Sequence, residues 1–459
     1  MGEGHGIVLA VVTLSSFFVP FLSSATNVAL PQIARELGLS APALPWVNTS
    51  FMLASAILLL PLGRLVDLKG RRRLFVWGLA IFAVVTGLVA FAPSAGWLLG
   101  LRAVQGAVGA LPLAASMPLL VATFPPERRG RAIGINVAGV YTGLSLGPVL
   151  GGLLTQGLGW RSIFGLTAAL MLAVPILAAL RLPADRAPEG RGRFDVVGSL
   201  LYGAGLSSLM LGLGRMPSTL GTALVVAGLA GFAAFGIWEL RCPSPLLDMR
   251  LMGRNRVFLF SNVAALVNYC ATAAVGFLLA LWLQHVKGLE PRQAGLVLVV
   301  QPALMALLSG TAGRLSDRIA PRLLASAGMG LTMVGLVLLA TLGEATPMWV
   351  VVAALAVLGV AFALFSSPNT NAVMGSVEKR YLGIASATLG TMRGLGQMLS
   401  LAITGLLFAL FIGRVQVGAD NLGELLHALR VAFGVFAALC FAGVFASLAR
   451  GSGKAADER

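Results

Sequence analysis

The stretch GRLVDLKGRRR, at residues 63–73, places five cations and one carboxylate between two of the most apolar parts of the chain. The apolar runs on either side are about 20 residues long, which is enough for a helix to cross a hydrocarbon core of about 30 Å. The charged stretch therefore predicts a short connection between two membrane-spanning helices, at the membrane surface.

The composition extends this prediction to the whole chain of 459 residues. Only 11% of the residues are charged and the mean hydropathy is +0.91, whereas a soluble domain carries about 25% charged residues. The apolar runs are too long and too uniform for the alternating strands of a membrane barrel. We predict an all-α polytopic membrane protein. Its first apolar run is predicted to be a retained span, because the N-terminus lacks the basic region and the small-residue cleavage site of a secretory signal.

The net charge of +16 does not indicate a nucleic-acid partner, because the cations occupy short loops between apolar runs and not one patch or helix face. The cysteines and histidines show neither a disulfide framework nor the spacing of metal ligands. We therefore predict no metal and no cofactor. These dispersed residues are Cys242, Cys270, Cys440, His5, His285 and His427.

The apolar runs predict fourteen spans, at residues 6–30, 44–66, 73–92, 96–122, 131–157, 161–181, 194–214, 219–240, 257–285, 293–313, 322–342, 347–371, 384–411 and 427–449. With a cytoplasmic N-terminus, the inner loops and tail hold 24 of the 33 Lys and Arg residues, and the outer loops hold 7. Cytoplasmic loops carry such an excess. We predict a multi-pass protein of the inner, cytoplasmic membrane with both termini in the cytoplasm.

The opening stretch has a second copy. GRLSDRIAPR, at residues 313–322, repeats its G-R-L-x-D pattern after the tenth predicted span. Internal repeats of this kind are typical of secondary transporters, in which two halves rock about a central site. The predicted division is a six-helix half at 1–185, two additional spans at 186–250, and a second six-helix half at 251–459.

The order of residues in GRLVDLKGRRR predicts a cytoplasmic gate. Gly63 allows a neighbouring helix to come close, and Asp67 lies one turn later on the same face. Gly70 permits a tight turn, after which Arg71 and Arg72 can hydrogen-bond a carboxylate at the helix end. Such bonds form in one conformation and break in another. The alternative is a simple topology anchor, which explains the arginines but neither Asp67 nor the glycines; the second copy contributes Asp317.

Several stretches together resemble the major facilitator superfamily, in its fourteen-helix drug:proton antiporter branch. Besides the opening stretch, these are NVALP (27–31), LRAVQGAVGA (101–110), GLSLGPVLGG (143–152), GWRSIF (159–164) and TMRGLGQMLSLAI (391–403). The resemblance implies an exporter of amphipathic organic compounds, coupled to H+ and embedded in the lipid bilayer. It also implies that the fifth-helix glycines and proline seal the substrate path and set the direction of export.

The fifth-helix stretch also has a physical interpretation. Small residues at four-residue spacing share one helix face, so that another helix can pack closely. Pro148 removes a backbone donor and bends the helix. The alternative is ordinary small-residue packing. The predicted conformational motif consists of Gly143, Gly147, Pro148, Gly151 and Gly152.

Two arginines fall inside predicted spans. Arg102 lies roughly 9 Å and Arg393 roughly 14 Å from the span starts, at 1.5 Å per residue. A buried arginine costs at least about 2.5–3.5 kcal/mol, so each should face a cavity or a partner. The alternative is that the side chain snorkels to the membrane surface, which the greater depth of Arg393 makes weaker for that residue. Leu22 stands where the related antiporters carry a first-helix aspartate, which leaves Arg102 without the partner that the resemblance implies.

Uncharged polar residues on apolar spans complete the predicted site, because an amide that faces lipid would lack hydrogen-bond partners. Bonding between helices is the alternative for each of them. The predicted substrate and coupling residues are Arg102, Arg393, Asn27, Gln105, Tyr141, Asn268 and Gln301, with Asn48, Asn136, Tyr269 and Asn371 as further candidates.

Two functions remain open from the sequence. The first is proton-coupled efflux of amphipathic drugs by a protein that acts as a monomer. The second is export or flipping of a lipid or of an anionic or zwitterionic metabolite, without the usual first-helix proton site. An enzyme would need a clustered nucleophile, acid pair or metal site, and a receptor would need a signalling domain; the sequence indicates neither.

Overall fold

The protein is described by a computed structural model, which covers residues 3–182, 194–243, 245–247, 249–316, 318–378 and 382–450. These residues form seventeen α-helices and no strand: α1 (Glu3–Leu37), α2 (Trp46–Lys69), α3 (Arg71–Val89), α4 (Ala95–Thr123), α5 (Pro126–Leu158), α6 (Arg161–Arg181), α7 (Val196–Arg215), α8 (Thr219–Arg241), α9 (Met249–Arg254), α10 (Arg256–Thr272), α11 (Val275–Leu281), α12 (Pro291–Leu298), α13 (Val300–Ser316), α14 (Pro321–Ala340), α15 (Met348–Gly375), α16 (Leu382–Phe411) and α17 (Leu422–Leu448).

Fourteen helical stretches in the described residues are long and apolar enough to cross a membrane, which confirms the predicted all-α fold with fourteen spans. The ninth, Arg256–Val286, combines α10, α11 and a π-helical turn at Trp282–Val286, and the tenth, Pro291–Ser316, combines α12 and α13. With an even number of spans, both chain termini lie at one end of the bundle, here called the terminal end. The opposite end, which carries the α1–α2 loop, is called the distal end.

The first span is longer than predicted. Its helix continues through Pro31 to Leu37 and ends at Gly38, whose φ of 69° is left-handed. The Leu39 N–H donates to the Ala34 carbonyl at 3.1 Å, which closes the last turn. Glycine in this conformation commonly ends a helix, so Gly38 and not Pro31 marks the end of the span.

The helices pack as two groups with a hairpin between them. In the first group α1 packs on α5 and α2 on α4, and in the second α14 packs on α15 and α17. Helices α7 and α8 pack on each other, and α7 contacts both α2 and α16. An apolar cluster that includes Leu60, Tyr202, Phe235 and Met398 joins α2, α7, α8 and α16. The numerical division into halves at 185 and 250 stays a prediction.

Helix α5 presents its glycine face to α1, as the four-residue spacing predicts. A Cβ added at Gly147 would lie 2.8 Å from the Phe21 carbonyl oxygen, and one at Gly151 would lie 2.7 Å from the Cα of Ala25. Real Cβ atoms are not found so close to backbone atoms, so the two helices can approach this closely only where α5 carries glycine.

The next residues of the same motif connect the two halves at the distal end. A Cβ at Gly152 would lie 3.0 Å from the Cα of Arg292 in α12, and Gly295 of α12 lies against the carbonyl of Pro148. Near this point the Gln156 Nε2 donates to Glu290 Oε2 at 2.7 Å. Two further bonds, from Gln284 Nε2 to the Val28 carbonyl at 2.8 Å and from Ala41 N to the Val415 carbonyl at 2.7 Å, also join the halves there. The distal end is therefore closed.

Among the described residues, Gly63 does not show in this conformation the close helix approach that the sequence predicts. In the described part of the chain, no heavy atom lies within 4 Å of a Cβ built at Gly63, near the terminal end of α2. The same holds for Gly310, Gly390 and Gly394 on the terminal parts of α13 and α16. The close contacts between the halves are made at the distal end, which leaves this glycine without a helix packed against it.

The α1–α5 contact generates a prediction. Gly147→Leu should lower the melting temperature of the purified protein, because overpacking a close helix contact costs about 1–3 kcal/mol. Gly157→Leu is the matched control, since Gly157 lies on the same helix and has no described heavy atom within 4 Å of its Cβ position. Thermal unfolding in detergent measures both. Equal melting temperatures for the two variants would mean that the contact is not needed for stability.

Candidate functional site

Arg102 is buried inside the first half, with 2% of its surface exposed. Its Nε donates to the Val47 carbonyl at 3.0 Å, one terminal nitrogen to Asn48 Oδ1 at 3.0 Å, and the other to Gln105 Oε1 at 2.6 Å. Gln105 Nε2 in turn donates to Thr86 Oγ1 at 2.7 Å. The guanidinium therefore joins α4 to α2 and α3 and does not snorkel to the surface.

The Arg102 network reaches the second half through two asparagines. Asn48 Nδ2 donates to Asn27 Oδ1 at 2.7 Å, and Asn27 Nδ2 lies 3.7 Å from the Cβ position of Gly276 in α11. The Phe51 ring lies 4.8 Å from the Arg102 guanidinium carbon, a distance suited to a cation–π contact. Neutral oxygens and an aromatic face thus surround the charge, in place of the carboxylate that the resemblance implies.

Arg393 lies in the second half in a different environment. One terminal nitrogen donates to Thr370 Oγ1 at 2.6 Å, and the guanidinium carbon lies 5.5 Å from the Tyr269 ring. Its Nε is buried and has no hydrogen-bond partner in the described residues. Arg393 therefore retains a donor that the described protein groups do not satisfy.

Tyr141, on α5 of the first half, lies near Arg393 of the second half. Its side chain interacts with Ser366 of α15 and lies close enough to Arg393 and Tyr269 to interact with both electrostatically. We call Tyr141, Tyr269, Ser366, Thr370 and Arg393 the central polar cluster. The sequence indicated three of these residues but missed Ser366 and Thr370, although the polar run SSPNT at 366–370 interrupts an apolar helix.

The remaining predicted polar residues do not form one site. The structure places Arg102, Gln105 and Asn27 in a network of the first half, separate from the central polar cluster. Asn371 donates to Ser316 at 2.6 Å, so it bonds neighbouring helices. Gln301 is half-buried, and its carbonyl packs against Gly359 of α15.

Asn268 differs from these helix-bonding residues. It is fully buried, and neither of its side-chain polar atoms has a partner in the described residues. The Oδ1 of Asn136, on α5, is also buried without one. The assignment of all these side chains to substrate binding or coupling stays a prediction.

The predicted gate is described only in part. Gly70 has φ 105° and separates α2 from α3, which is the tight turn expected there. Arg72 donates to the Ala179 carbonyl at 2.6 Å, at the end of α6, where a cation suits the helix dipole. Asp317 and the side chain of Asp67 lie outside the described part of the structure, and the gating role of these residues stays a prediction.

Comparison with protein families gives one match, which covers most of the chain. A sequence profile of the Major Facilitator Superfamily matches residues 12–253 and 261–454. Among solved structures, a bacterial homolog to the human lysosomal transporter Spinster, in an inward-facing and unoccupied conformation, is similar with a TM-score of 0.72. The two share 18% sequence identity and the alignment covers 98% of each chain, so the likeness concerns the fold.

Curated relatives align over most of their lengths. The riboflavin transporter RibZ of Clostridioides difficile is 28% identical over 95% of this chain and 96% of its own. The multidrug resistance protein Stp of Mycobacterium tuberculosis is 30% identical over 88% of this chain and 76% of its own. The cephamycin export protein CmcT of Amycolatopsis lactamdurans is 33% identical over 86% and 83%.

The Arg102 network predicts a strong effect on stability. Arg102→Ala removes the donors to three buried oxygens, and each unsatisfied group costs about 1–3 kcal/mol. The melting temperature should therefore fall well below that of the control Arg414→Ala, because Arg414 is exposed. A melting temperature for Arg102→Ala equal to that of the control would contradict a structural role for this network.

Proposed function

Because the chain belongs to the Major Facilitator Superfamily, it is a multi-pass membrane transporter of small molecules and not an enzyme, and we propose that it exports amphipathic organic compounds by alternating access. Relatives at 30% and 33% identity bear the names of a multidrug resistance protein and an antibiotic export protein, which supports secondary active efflux. The transporter acts as a monomer in the inner membrane, with both termini in the cytoplasm.

The central polar cluster is the observation that carries this proposal. Tyr141 comes from the first half, whereas Arg393, Thr370 and Ser366 come from the second. A site built from both halves changes shape when they rock, which is how binding can be coupled to alternating access. A substrate that bridges Tyr141 and Arg393 would therefore contact both moving parts.

The closed distal end supports an inward-facing state of the proposed cycle. In that state the contact of α5 with α12, through Pro148, Gly152 and Gly295, blocks the outer side of the path. Opening the path outward requires these backbones to separate. The α5–α12 contact supports the sealing role that the resemblance implies for the conformational motif.

Proton coupling is part of the proposal, but it does not pass through the first helix in the usual form. Leu22 cannot titrate, and Arg102 is already satisfied by neutral oxygens. The proton must then bind a carboxyl group elsewhere in the chain.

Proteoliposomes with independently set inner and outer pH test the coupling to H+. Uptake of a fluorescent amphipathic cation by protein in the inside-out orientation should increase when the lumen is acidic. An uptake rate that does not depend on the pH gradient would contradict coupling to H+.

A second candidate substrate class follows from Arg393. Its buried Nε has no partner among the described residues, so an anionic or zwitterionic head group could accept that hydrogen bond. Such a ligand would offset part of the cost of keeping the guanidinium within the membrane. Export or flipping of a lipid or an anionic metabolite is therefore the alternative to efflux of neutral and cationic drugs.

Arg393→Ala distinguishes the two substrate classes. A hydrogen bond to a charged group contributes about 1.5–3 kcal/mol, so the variant should bind an anionic ligand roughly tenfold or more weakly and a matched cation with little change. Calorimetry across a series of ligands that differ in charge measures this, with Arg414→Ala as the control. Equal losses for anions and cations would exclude an anionic site at Arg393.

The gate is tested separately. Asp67→Asn should leave the protein folded but weaken contacts at the terminal end, because the amide cannot form the charge-assisted bonds of a carboxylate. Electron–electron distance measurements across that end should show a broader distribution, together with slower transport. Asp420→Asn, in an exposed distal loop, is the control. Unchanged distances and normal transport would remove Asp67 from the gate.

A further inference from the structure

Two carboxyl groups meet inside the protein at the terminal end of the α7–α8 hairpin, away from the central polar cluster. Asp195 precedes α7 and Glu239 lies near the end of α8, with exposed fractions of 8% and 1%. Both crowd the backbone of Gly198: a Cβ there would lie 2.7 Å from Glu239 Oε1 and 2.9 Å from Asp195 Cγ. The two side chains are within hydrogen-bonding reach of each other.

Both oxygens of Asp195 accept hydrogen bonds from N–H groups. Its Oδ1 accepts from the Gly198 N–H at 2.8 Å, in the first turn of α7. The indole Nε1 of Trp238 donates to both carboxylate oxygens at 3.1 Å. Because its oxygens already act as acceptors, Asp195 can accept a further hydrogen bond if Glu239 carries a proton.

Glu239 has one oxygen that no described donor reaches. Its Oε2 accepts from the Leu247 N–H at 3.0 Å, whereas Oε1 is buried and has no hydrogen-bond partner. The group beside Oε1 is the Asp195 carboxylate, which can only accept. Two acceptors that face each other in a buried site repel unless a proton lies between them.

We propose that Asp195 and Glu239 form a binding site for one proton. The proton is carried on Glu239 Oε1, which donates a hydrogen bond to Asp195. The bound proton keeps Glu239 in place, and Glu239 in turn holds the backbone of Leu247. The Leu247 side chain belongs to the apolar cluster that joins α7 and α8 to α2 and α16. Proton binding is thereby linked to a contact between helices of both halves.

Among the described residues, the other charged groups near this site do not act on the Glu239 carboxyl. The interactions that act on its carboxyl come from Asp195 and from the N–H groups of Leu246 and Leu247. Arg250 of α9 donates to the Leu240 carbonyl at 2.7 Å, and Arg241 is exposed. On the helices that pack against α7, Arg64 of α2 is half-buried and Arg393 of α16 bonds to Thr370. Arg193 and Asp248 lie outside the described residues.

Loss of the proton should loosen this part of the protein. At high pH both carboxyl groups are charged, and their repulsion is strong where water does not screen it. Displacement of Glu239 removes the acceptor of the Leu247 N–H, so the segment after α8 separates from the hairpin. The structure should therefore be tightest at low pH and open as the pH rises.

A native cysteine reports this opening without any assay of transport. Cys242 follows α8 and is half-buried, whereas Cys270 and Cys440 are buried in other helices. The maleimide labelling rate of Cys242, measured peptide by peptide by mass spectrometry, should increase with pH more steeply in the wild type than in Glu239→Gln. Dividing the wild-type labelling rate by the Glu239→Gln rate cancels the increase in rate that any thiol shows as its thiolate fraction rises with pH.

Glu239→Gln reproduces the protonated pair, because its amide can donate to Asp195 while its oxygen accepts from Leu247. The wild-type to variant ratio should be close to one at low pH and severalfold higher at high pH. Asp195→Asn should have the same effect as Glu239→Gln, since its amide can donate to an ionised Glu239. Glu424→Gln, an exposed carboxyl on α17, should behave as the wild type.

Infrared spectroscopy gives an independent measurement. The wild type at low pH should show a protonated-carboxyl band that decreases as labelling of Cys242 increases and that Glu239→Gln lacks. A rate ratio of one at every pH, or a wild-type pH response that persists in Asp195→Asn, would overturn the proposal. Neither result would affect the proposed efflux function, which does not depend on this site.

Discussion

The hydrocarbon core offers no hydrogen-bond partner to a polar side chain, and the arrangement of polar residues in this protein follows from that constraint. Arg102 is surrounded by the carbonyl of Val47 and the amide oxygens of Asn48 and Gln105. These bonds hold α2 against α4, because displacement of α2 would leave a buried charge without two of its acceptors. Gln105 extends the network to Thr86 of α3. The arginine is therefore part of the framework of the first half.

Arg393 shows the opposite solution to the same constraint. Only part of its hydrogen-bonding capacity is used by Thr370, and aromatic rings from both halves lie beside it. The buried Nε without a partner in the described residues is what supports the proposal of a ligand at Arg393. The two arginines, which look alike in the sequence, thus differ because their neighbours differ.

Close backbone contact is the second feature on which the architecture depends. Without a strong hydrophobic force between helices in lipid, association relies on packing, and glycine allows backbones to approach closely. On α5 one set of glycines packs on α1 within the first half, and the adjacent Pro148 and Gly152 pack on α12 of the second. One short motif therefore makes a contact within the first half and a contact between the halves, and the proposed alternating access would break the second.

The number and kind of the helices could be predicted from the sequence alone, because an apolar run of sufficient length in a weakly charged chain has few alternatives in water or in lipid. The fifth-helix glycine face could be predicted as well, since residues four apart share one side of a helix whatever surrounds it. The end of α1 at Gly38 depends on a local feature, a glycine with positive φ, but the predicted span ended earlier, just before Pro31.

Only the tertiary structure decided which polar side chains meet. Arg102 bonds to residues more than fifty positions away, Tyr141 meets Ser366 and Arg393 from the other half, and Glu239 meets Asp195 across the hairpin. No local pattern encodes these partners, because they depend on how whole helices pack and rotate against one another. The sequence by itself therefore determined the spans and the residue types within them, and the packing of the helices determined which of those residues act together.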